Sequence, residues 1–458
     1  MKFQIQIDFK NPLKSVYKTL SHINILHIFL LVLCLHFFIM STPESGFIFD
    51  EAHYVPAARS TLNMVAANAE HTPLAKVFIA WSIQAFGDWW FAWRIPSVIF
   101  SSLSVVFVYL IAKQFVTKKY ALIASAFMTF DVLFFINGSL AILDPPAIFF
   151  ALVGTYFLII NRYALSGLSF AIAVLSKETS LLMMLGAVLY KSFMLIRNRQ
   201  HSTQKFFQKF SGVQLKKWEP NFKGFRKLQA FALFAIIFVS VTFGGIYVYD
   251  SIYKPSKSAV SAVSATVFVD QNNSAITTSL STKVSQDYIT NPIDHILFAF
   301  NYYRGLTPTI NPLPQDFRPA WTWSLPLENA WNPPVYFGVQ VKVNEVSTQT
   351  VSYRSQSSYP ITIFMIPTLL ACLFVVIKKS SDTFPFLYLG WIAGTYLPWI
   401  FFSIFVQRMT FNYYFTYTTP MLAIGLPWFF TKLPLSTKFR DVLLIGTLII
   451  ATIYFMYY

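Results

Sequence analysis

The sequence predicts an all-α polytopic membrane protein, and three observations predict it. Of the 458 residues, 55% are hydrophobic and only 12% are charged. That is about half the charge of a soluble globular chain, so most of the exterior has to face lipid. Apolar runs of roughly 17–22 residues, long enough to cross a hydrocarbon core, recur through the chain. The basic residues also cluster between alternate runs, with 23 of the 35 Lys and Arg on one set of connecting segments, which is the asymmetry of the positive-inside rule.

The runs lie at 24–40, 95–112, 120–137, 143–160, 164–176, 181–196, 229–249, 360–377, 384–405, 413–430 and 441–457, the fifth being short. The expectation is therefore about 11 transmembrane helices. With the N-terminus cytoplasmic, the basic segments 1–22, 113–119, 161–163, 191–228, 378–383 and 431–440 all fall inside and the C-terminus falls outside. The formal charge of +16 then reports topology and contact with anionic lipid headgroups, and no nucleic-acid partner is implied. The first run reads as a retained span, because no small-residue cleavage site follows it. Cys34 and Cys372 both fall inside spans, with no disulfide or metal spacing. The cofactor is left open: a divalent metal is not indicated by ligand spacing.

Three divisions follow. Residues 1–249 form an N-terminal transmembrane module carrying spans 1–7 and an external loop at 41–94. Residues 250–359 form an extracytoplasmic loop, and 360–458 carry spans 8–11. Within the first external loop, "PLAKVFIAWSIQAFG" has apolar residues at helical spacing and one charge, Lys76, the pattern of an amphipathic helix lying on the membrane surface. In the second, "YFGVQVKVNEV" alternates apolar and polar residues, which predicts a small β element. A glycosylation sequon stands at 272–274. The stretch 191–228 reads as a basic internal loop.

Ionisable residues at a membrane boundary are costly and therefore candidates for function. Asp50 and Glu51 follow span 1 in "FIFDEAHY", and His71 and Lys76 sit in "EHTPLAK". Arg94 enters span 2, Asp131 and Asp144 flank "VLFFINGSLAIL", Lys177 and Glu178 occupy "LSKETS", and Arg408 opens "RMTFNYY". The topology puts all of them on one extracytoplasmic side. A carboxylate there can act as general base on a hydroxyl, and Lys or Arg can hold a phosphate leaving group. The chemistry indicated is transfer of a group from a lipid-linked phosphate to an external hydroxyl. For several of these residues a plainer reading exists: Asp50 and Glu51 as charges ending a span, Asp131 and Asp144 as helix caps, and Arg408 as a snorkelling side chain.

Taken in order, "FDEAHY", "HTPLAK", "WR", "LDPP", "LSGLSFAIAVLSKETSLL" and "RMTFNYYFTYTTPML" resemble the motifs of the protein O-mannosyltransferase family, dolichyl-phosphate-mannose–protein mannosyltransferases of the GT-C class, as a prokaryotic or archaeal member. The resemblance covers 47–190 and 405–425 and barely touches 250–359. It implies a GT-C bundle, a dolichyl- or polyprenyl-phosphate sugar donor, and inverting transfer of mannose to Ser/Thr hydroxyls of exported proteins at the plasma membrane. Carried over, it makes Asp50 the catalytic base with Glu51 and Asp144 beside it. Arg94, Lys177 and Arg408 become the donor-phosphate ligands, and His71 and Lys76 support the motif.

The chain also departs from the family. Thr72 stands where the motif has its first Pro, Gly138-Ser139 where it has Ser-Arg, and Tyr414 where it has His. A related branch that moves aminoarabinose from a polyprenyl phosphate to lipid A has similar elements. Transfer to a lipid or lipid-linked glycan therefore stays open beside a protein acceptor. A lipid transporter without chemistry is the remaining alternative.

Overall fold

The computed structural model describes residues 24–41, 46–210, 222–255, 289, 291–305, 319–324, 336–343, 347–354 and 356–457. The sequon at 272–274, the N-terminal segment 1–22 and residues 211–221 of the basic stretch lie outside the described residues.

The elements run in order as α1 (Ile25–Ser41), α2 (Glu51–Leu62), α3 (Leu74–Phe86), α4 (Trp90–Ala112), α5 (Lys118–Thr129), α6 (Val132–Gly138), α7 (Asp144–Ile159) and α8 (Tyr163–Ser176). After a 3-10 turn at Glu178–Ser180 come α9 (Leu181–Phe210), α10 (Phe222–Tyr253) and α11 (Pro292–Gly305). A hairpin of β1 (Tyr336–Val343) and β2 (Ser347–Arg354) precedes α12 (Tyr359–Thr362), α13 (Met365–Ile377), α14 (Phe384–Thr395) and α15 (Leu397–Ile404). A 3-10 stretch at Asn412–Tyr417 leads to α16 (Thr419–Lys432) and α17 (Thr437–Tyr457). The hairpin is antiparallel, pairing Tyr336 with Arg354 and Val343 with Ser347.

Among the described residues, six stretches are long and apolar enough to cross a membrane: Trp90–Ala112, Glu178–Arg197, Gln229–Tyr253, Tyr359–Ile377, Phe384–Ile404 and Thr437–Tyr457. A seventh is obtained if the bent pair α5 and α6 counts as one. The remaining runs read as spans form shorter helices, so a count of 11 full-length crossings is not reached by length and composition.

Three local differences from the sequence reading have clear causes. The run 120–137 is not one straight span: it bends by 64° between α5 and α6, where Asp131 caps the new helix by accepting a bond from Phe134 N at 2.8 Å. The tenth run is divided between the 3-10 stretch at Asn412–Tyr417 and α16. The basic stretch 191–228 is largely helix, because α9 runs on to Phe210 and α10 starts at Phe222. Lys, Arg and Gln are good helix formers, and a helix leaving the bilayer has no reason to stop among them.

Close helix contacts are made at glycines. A Cβ on Gly394 of α14 would stand 2.5 Å from Gly186 N and 2.6 Å from Leu182 O on α9. A Cβ on Gly167 of α8 would lie 2.5 Å from Phe234 O on α10. Such small residues let backbones approach where lipid offers no hydrophobic drive for association.

Two buried apolar clusters result among the described residues. The larger runs through the bundle and includes Trp391, Tyr388, Trp428 and Phe415. The smaller gathers Ile48, Tyr54, Val55, Ala75, Trp93, Val132 and Leu143 where α2, α3 and the start of α4 meet the α6–α7 link. The candidate site is built on this second cluster.

Candidate active site

The adjacent carboxylates of Asp50 and Glu51 do different work. Asp50 is the N-cap of α2 without a side-chain cap bond, so its carboxylate is not consumed by the helix start. It stays partly exposed. The Tyr54 hydroxyl donates to its Oδ2 at 3.4 Å. Phe49, immediately before it, has a left-handed backbone with φ 54°, a cost of order 1–3 kcal/mol for a non-glycine residue, and its ring packs edge-on against Tyr413 at 5.1 Å.

Glu51 is fully buried at 0% exposure. Its Oε1 accepts from Arg94 Nε at 2.7 Å and from Ala141 N at 2.8 Å. Its Oε2 accepts from the second Arg94 nitrogen at 2.7 Å and from Ile48 N at 2.9 Å. Arg94, 3% exposed, is thus held bidentately. The pair joins α2, α4 and the link that leads into Asp144. Sequence reasoning gave Arg94 to the donor phosphate and Glu51 to catalysis; the structure puts them against each other.

Asp144 opens α7 ahead of Pro145-Pro146, and Lys177 ends α8 in extended conformation. The Lys177 ammonium lies 3.0 and 2.8 Å from the two Asp144 oxygens, with both side chains at most 2% exposed. It also stands 5.2 Å from the Tyr413 ring centroid. Both groups act on Asp50: burial pushes its carboxyl up, the Lys177 charge draws it down, and the Asp144 charge raises it.

His71 forms the next layer. Its Nδ1 is 3.2 Å from Glu178 Oε1 and 2.6 Å from the Tyr303 hydroxyl, and its Nε2 is 3.4 Å from the Tyr54 hydroxyl. Tyr303 donates to Glu178 Oε1, while Thr72 N and Oγ1 approach Oε2 at 3.4 and 3.5 Å. Lys76, the one charge of the segment read as a surface helix, is 1% exposed and donates to the carbonyls of Asn68 and His71. It fastens the loop that carries His71. Tyr303 comes from α11, whose His295 lies 2.8 Å from Asp250 Oδ1 and 2.9 Å from Ala69 O.

Arg408 closes the site from the C-terminal half. Its guanidinium lies 5.2 Å from the Tyr303 and Trp399 rings and 5.9 Å from that of Tyr414, and Trp399 stacks on Tyr414 at 4.2 Å. Arg408 Nε and Trp399 Nε1 are buried without a hydrogen-bond partner. Unlike Arg94 and Lys177, Arg408 makes no ion pair among the described residues. The preceding Gln407 has φ 52°, a second strained position beside a site residue. No group of three or more His, Cys, Asp and Glu is arranged to hold a metal ion among the described residues.

The structure therefore brings together Asp50, Asp144, Lys177, His71 and Arg408, with Glu51–Arg94 and Lys76 as supports behind them. Sequence reading missed Tyr54, Tyr303 and Trp399, and read Glu178 only as a neighbour of Lys177. One signal was available: Phe-Asn-Tyr-Tyr occurs at 300–303 and again at 411–414, and both tyrosine pairs reach the site.

Comparison with known proteins agrees with this architecture. The dolichyl-phosphate-mannose-protein mannosyltransferase family matches residues 70–215, and no curated protein matches the chain in sequence. Among solved structures, the protein O-mannosyltransferase Pmt1-Pmt2 complex of S. cerevisiae, bound to its sugar donor, superimposes with a TM-score of 0.66 at 12% identity, over 98% of this chain and 90% of that one. ArnT from Cupriavidus metallidurans bound to undecaprenyl phosphate superimposes with a TM-score of 0.55 at 12% identity, over 93% of this chain. The chain spans 63% of that ArnT chain and 62% of the apo ArnT chain, where the TM-score is 0.54 at 13% identity. The family match spans residues 70–215, under half of the chain, and at 12–13% identity the structural likenesses show a shared fold.

Proposed function

We propose that the protein moves a hexose, mannose in this reading, from a dolichyl or polyprenyl phosphate to Ser/Thr hydroxyls of exported proteins, with inversion. The observation that carries the reading is one uncommitted carboxylate, Asp50, beside the buried Asp144–Lys177 pair, with Arg408 as a cation that has no carboxylate partner among the described residues. The polyprenyl phosphate of the ArnT complex and the sugar donor of the Pmt1-Pmt2 complex support the donor class.

In the reaction, Asp50 takes the proton of the acceptor hydroxyl as its oxygen attacks the sugar's C1. The C1–O bond to phosphate breaks, its electrons leave with the phosphate, and attack from the opposite face inverts the centre. Arg408, with the Trp399 indole N–H beside it, neutralises the phosphate as charge develops. Two of the three Lys177 ammonium protons are directed at Asp144, so one remains for the leaving group. Glu51 and Arg94 compensate each other and position Asp144 through Ala141. We further take the site to lie on the extracytoplasmic face of the plasma membrane, with the N-terminus inside, as the basic-residue asymmetry argues.

Incubating the purified protein with dolichyl-phosphate-mannose and a Ser/Thr peptide should add one hexose to the peptide. A lipid-borne acceptor is the second reading. It is favoured by the exposed apolar face of α11 beside Tyr303, where Ile293 is 61% and Phe300 63% exposed. Labelled donor whose sugar reaches only a glycolipid, in a deletion strain complemented by this chain, would refute the protein acceptor.

A further inference from the structure

Transfer as proposed leaves a proton on Asp50 at each turnover, and the next acceptor cannot be activated until it departs. The route begins at the Tyr54 hydroxyl, 3.4 Å from Asp50 Oδ2 and 3.4 Å from His71 Nε2. Tyr54 is 3% exposed, so water does not replace it easily. Beyond it, the His71 side chain is 14% and the Glu178 side chain 21% exposed, so the series runs from a buried hydroxyl toward the outside.

The hydrogen-bond pattern also assigns the tautomer. Glu178 Oε1 accepts from Tyr303, and the same oxygen lies 3.2 Å from His71 Nδ1. With the tyrosine proton given to the carboxylate, Nδ1 is the nitrogen that carries hydrogen, facing Tyr303 oxygen and Glu178. The neutral ring then presents Nε2 to Tyr54 as an acceptor. Glu178 does for His71 what a carboxylate does for any base-type imidazole: it fixes the ring and stabilises the cation formed when a second proton arrives.

We propose that Tyr54 and His71 form the proton exit of this site. Asp50 gives its proton to the Tyr54 oxygen while Tyr54 gives its own to His71 Nε2. The imidazolium, facing Glu178, then releases a proton to external water. One O–H bond breaks and one forms at Tyr54, so the hydroxyl is regenerated and the acid–base balance closes on one proton per transfer. Both residues act through Asp50 and touch no reacting atom, so they are positioning residues. The charged and titratable groups facing His71 are Tyr54 on α2, Glu178 in the 3-10 turn, and Tyr302 and Tyr303 on α11, while Lys76 on α3 holds its carbonyl. Those acting on Asp50 are Lys177, Asp144, His71 and His53.

The proposal rests on Asp50 being the base, and the test separates the two. Full-length Asp50→Asn, Tyr54→Phe and His71→Ala are assayed with dolichyl-phosphate-mannose and a Ser/Thr peptide. Asp50→Asn should lose the first turnover. Tyr54→Phe and His71→Ala should keep a burst of about one product per enzyme and then slow by on the order of 10²-fold. Imidazoles of rising basicity should restore His71→Ala in proportion to that basicity, which mere filling of the vacated space would not do.

Wild-type steady rates in both variants, or equal loss of burst and steady phases without imidazole rescue, overturn the relay while leaving Asp50 in place. Retained turnover in Asp50→Asn overturns the base, and the relay with it. Nitrogen NMR of ring-labelled histidine decides the tautomer without any substrate: hydrogen on Nδ1 and a bare Nε2 are expected in the neutral ring. Hydrogen on Nε2 overturns the proposal.

Discussion

Glu51→Gln distinguishes a reacting carboxylate from a structural one, and the structure sets the size of its effect. The amide nitrogen must take the place of either Oε1 or Oε2. At Oε1 it meets Arg94 Nε and Ala141 N; at Oε2 it meets Ile48 N and the other Arg94 nitrogen. In either rotamer two donors face a donor, two hydrogen bonds are lost, and the Arg94 charge is left uncompensated in a buried position. Hydrogen bonds to charged groups are worth about 1.5–3 kcal/mol each, and breaking a buried pair from one side costs about 3–5 kcal/mol. The two figures describe the same loss, so about 3–5 kcal/mol is expected.

The assay is the melting temperature and the lifetime at fixed temperature of the detergent-purified protein, compared with Arg94→Met and the double variant. Because each single change strands the other partner, the double variant should be less destabilised than the sum, with a coupling of about 0.5–3 kcal/mol. A Glu51→Gln protein that melts like the wild type but has lost transfer would refute the structural assignment and return Glu51 to the chemistry.

Other perturbations separate the remaining parts. Arg408→Gln should raise the KM for the donor by about 10- to 100-fold, the equivalent of one charged hydrogen bond, while melting shifts little, since no ion pair is broken; an unchanged donor KM would remove it from the phosphate site. Burial raises the Asp50 carboxyl, and the base must be ionised. Activity should therefore be full above that raised value and fall as pH drops through it, with an acid limb above the ordinary carboxylate value of about 3.9; a limb at or below that value argues against Asp50. Gly394→Ala should destabilise by about 1–3 kcal/mol, because its methyl would meet the α9 backbone at 2.5 Å. A wild-type melting temperature would show that the two helices separate without cost.

Much of the candidate site was legible because membrane boundaries make charge conspicuous. In a chain with so few charged residues, each of Asp50, Asp144, Lys177 and Arg408 at a span end demanded a reason. Pairing was not legible: nothing in the order of residues says that Arg94 meets Glu51 and Lys177 meets Asp144, since 43 and 33 residues separate the partners. Lys76 shows the same limit. One charge in an amphipathic pattern suggests a water-facing side, yet backbone carbonyls of the 67–71 loop capture it inside the fold. The tyrosines of α11 escaped notice because aromatic residues are common throughout this chain, and only the packing of α11 brings Tyr303 onto His71 and Glu178.

The apolar runs and the ordered motifs by themselves indicated an all-α membrane bundle and singled out the charged residues at its helix ends, because hydropathy and charge cost act locally along the chain. The tertiary structure alone decided what each charge does there. An ion's role depends on which oppositely charged or hydrogen-bonding group it meets within a few ångströms. That meeting spends Glu51 and Arg94 on each other, ties Lys177 to Asp144, and leaves Asp50 and Arg408 without an ion-pair partner among the described residues.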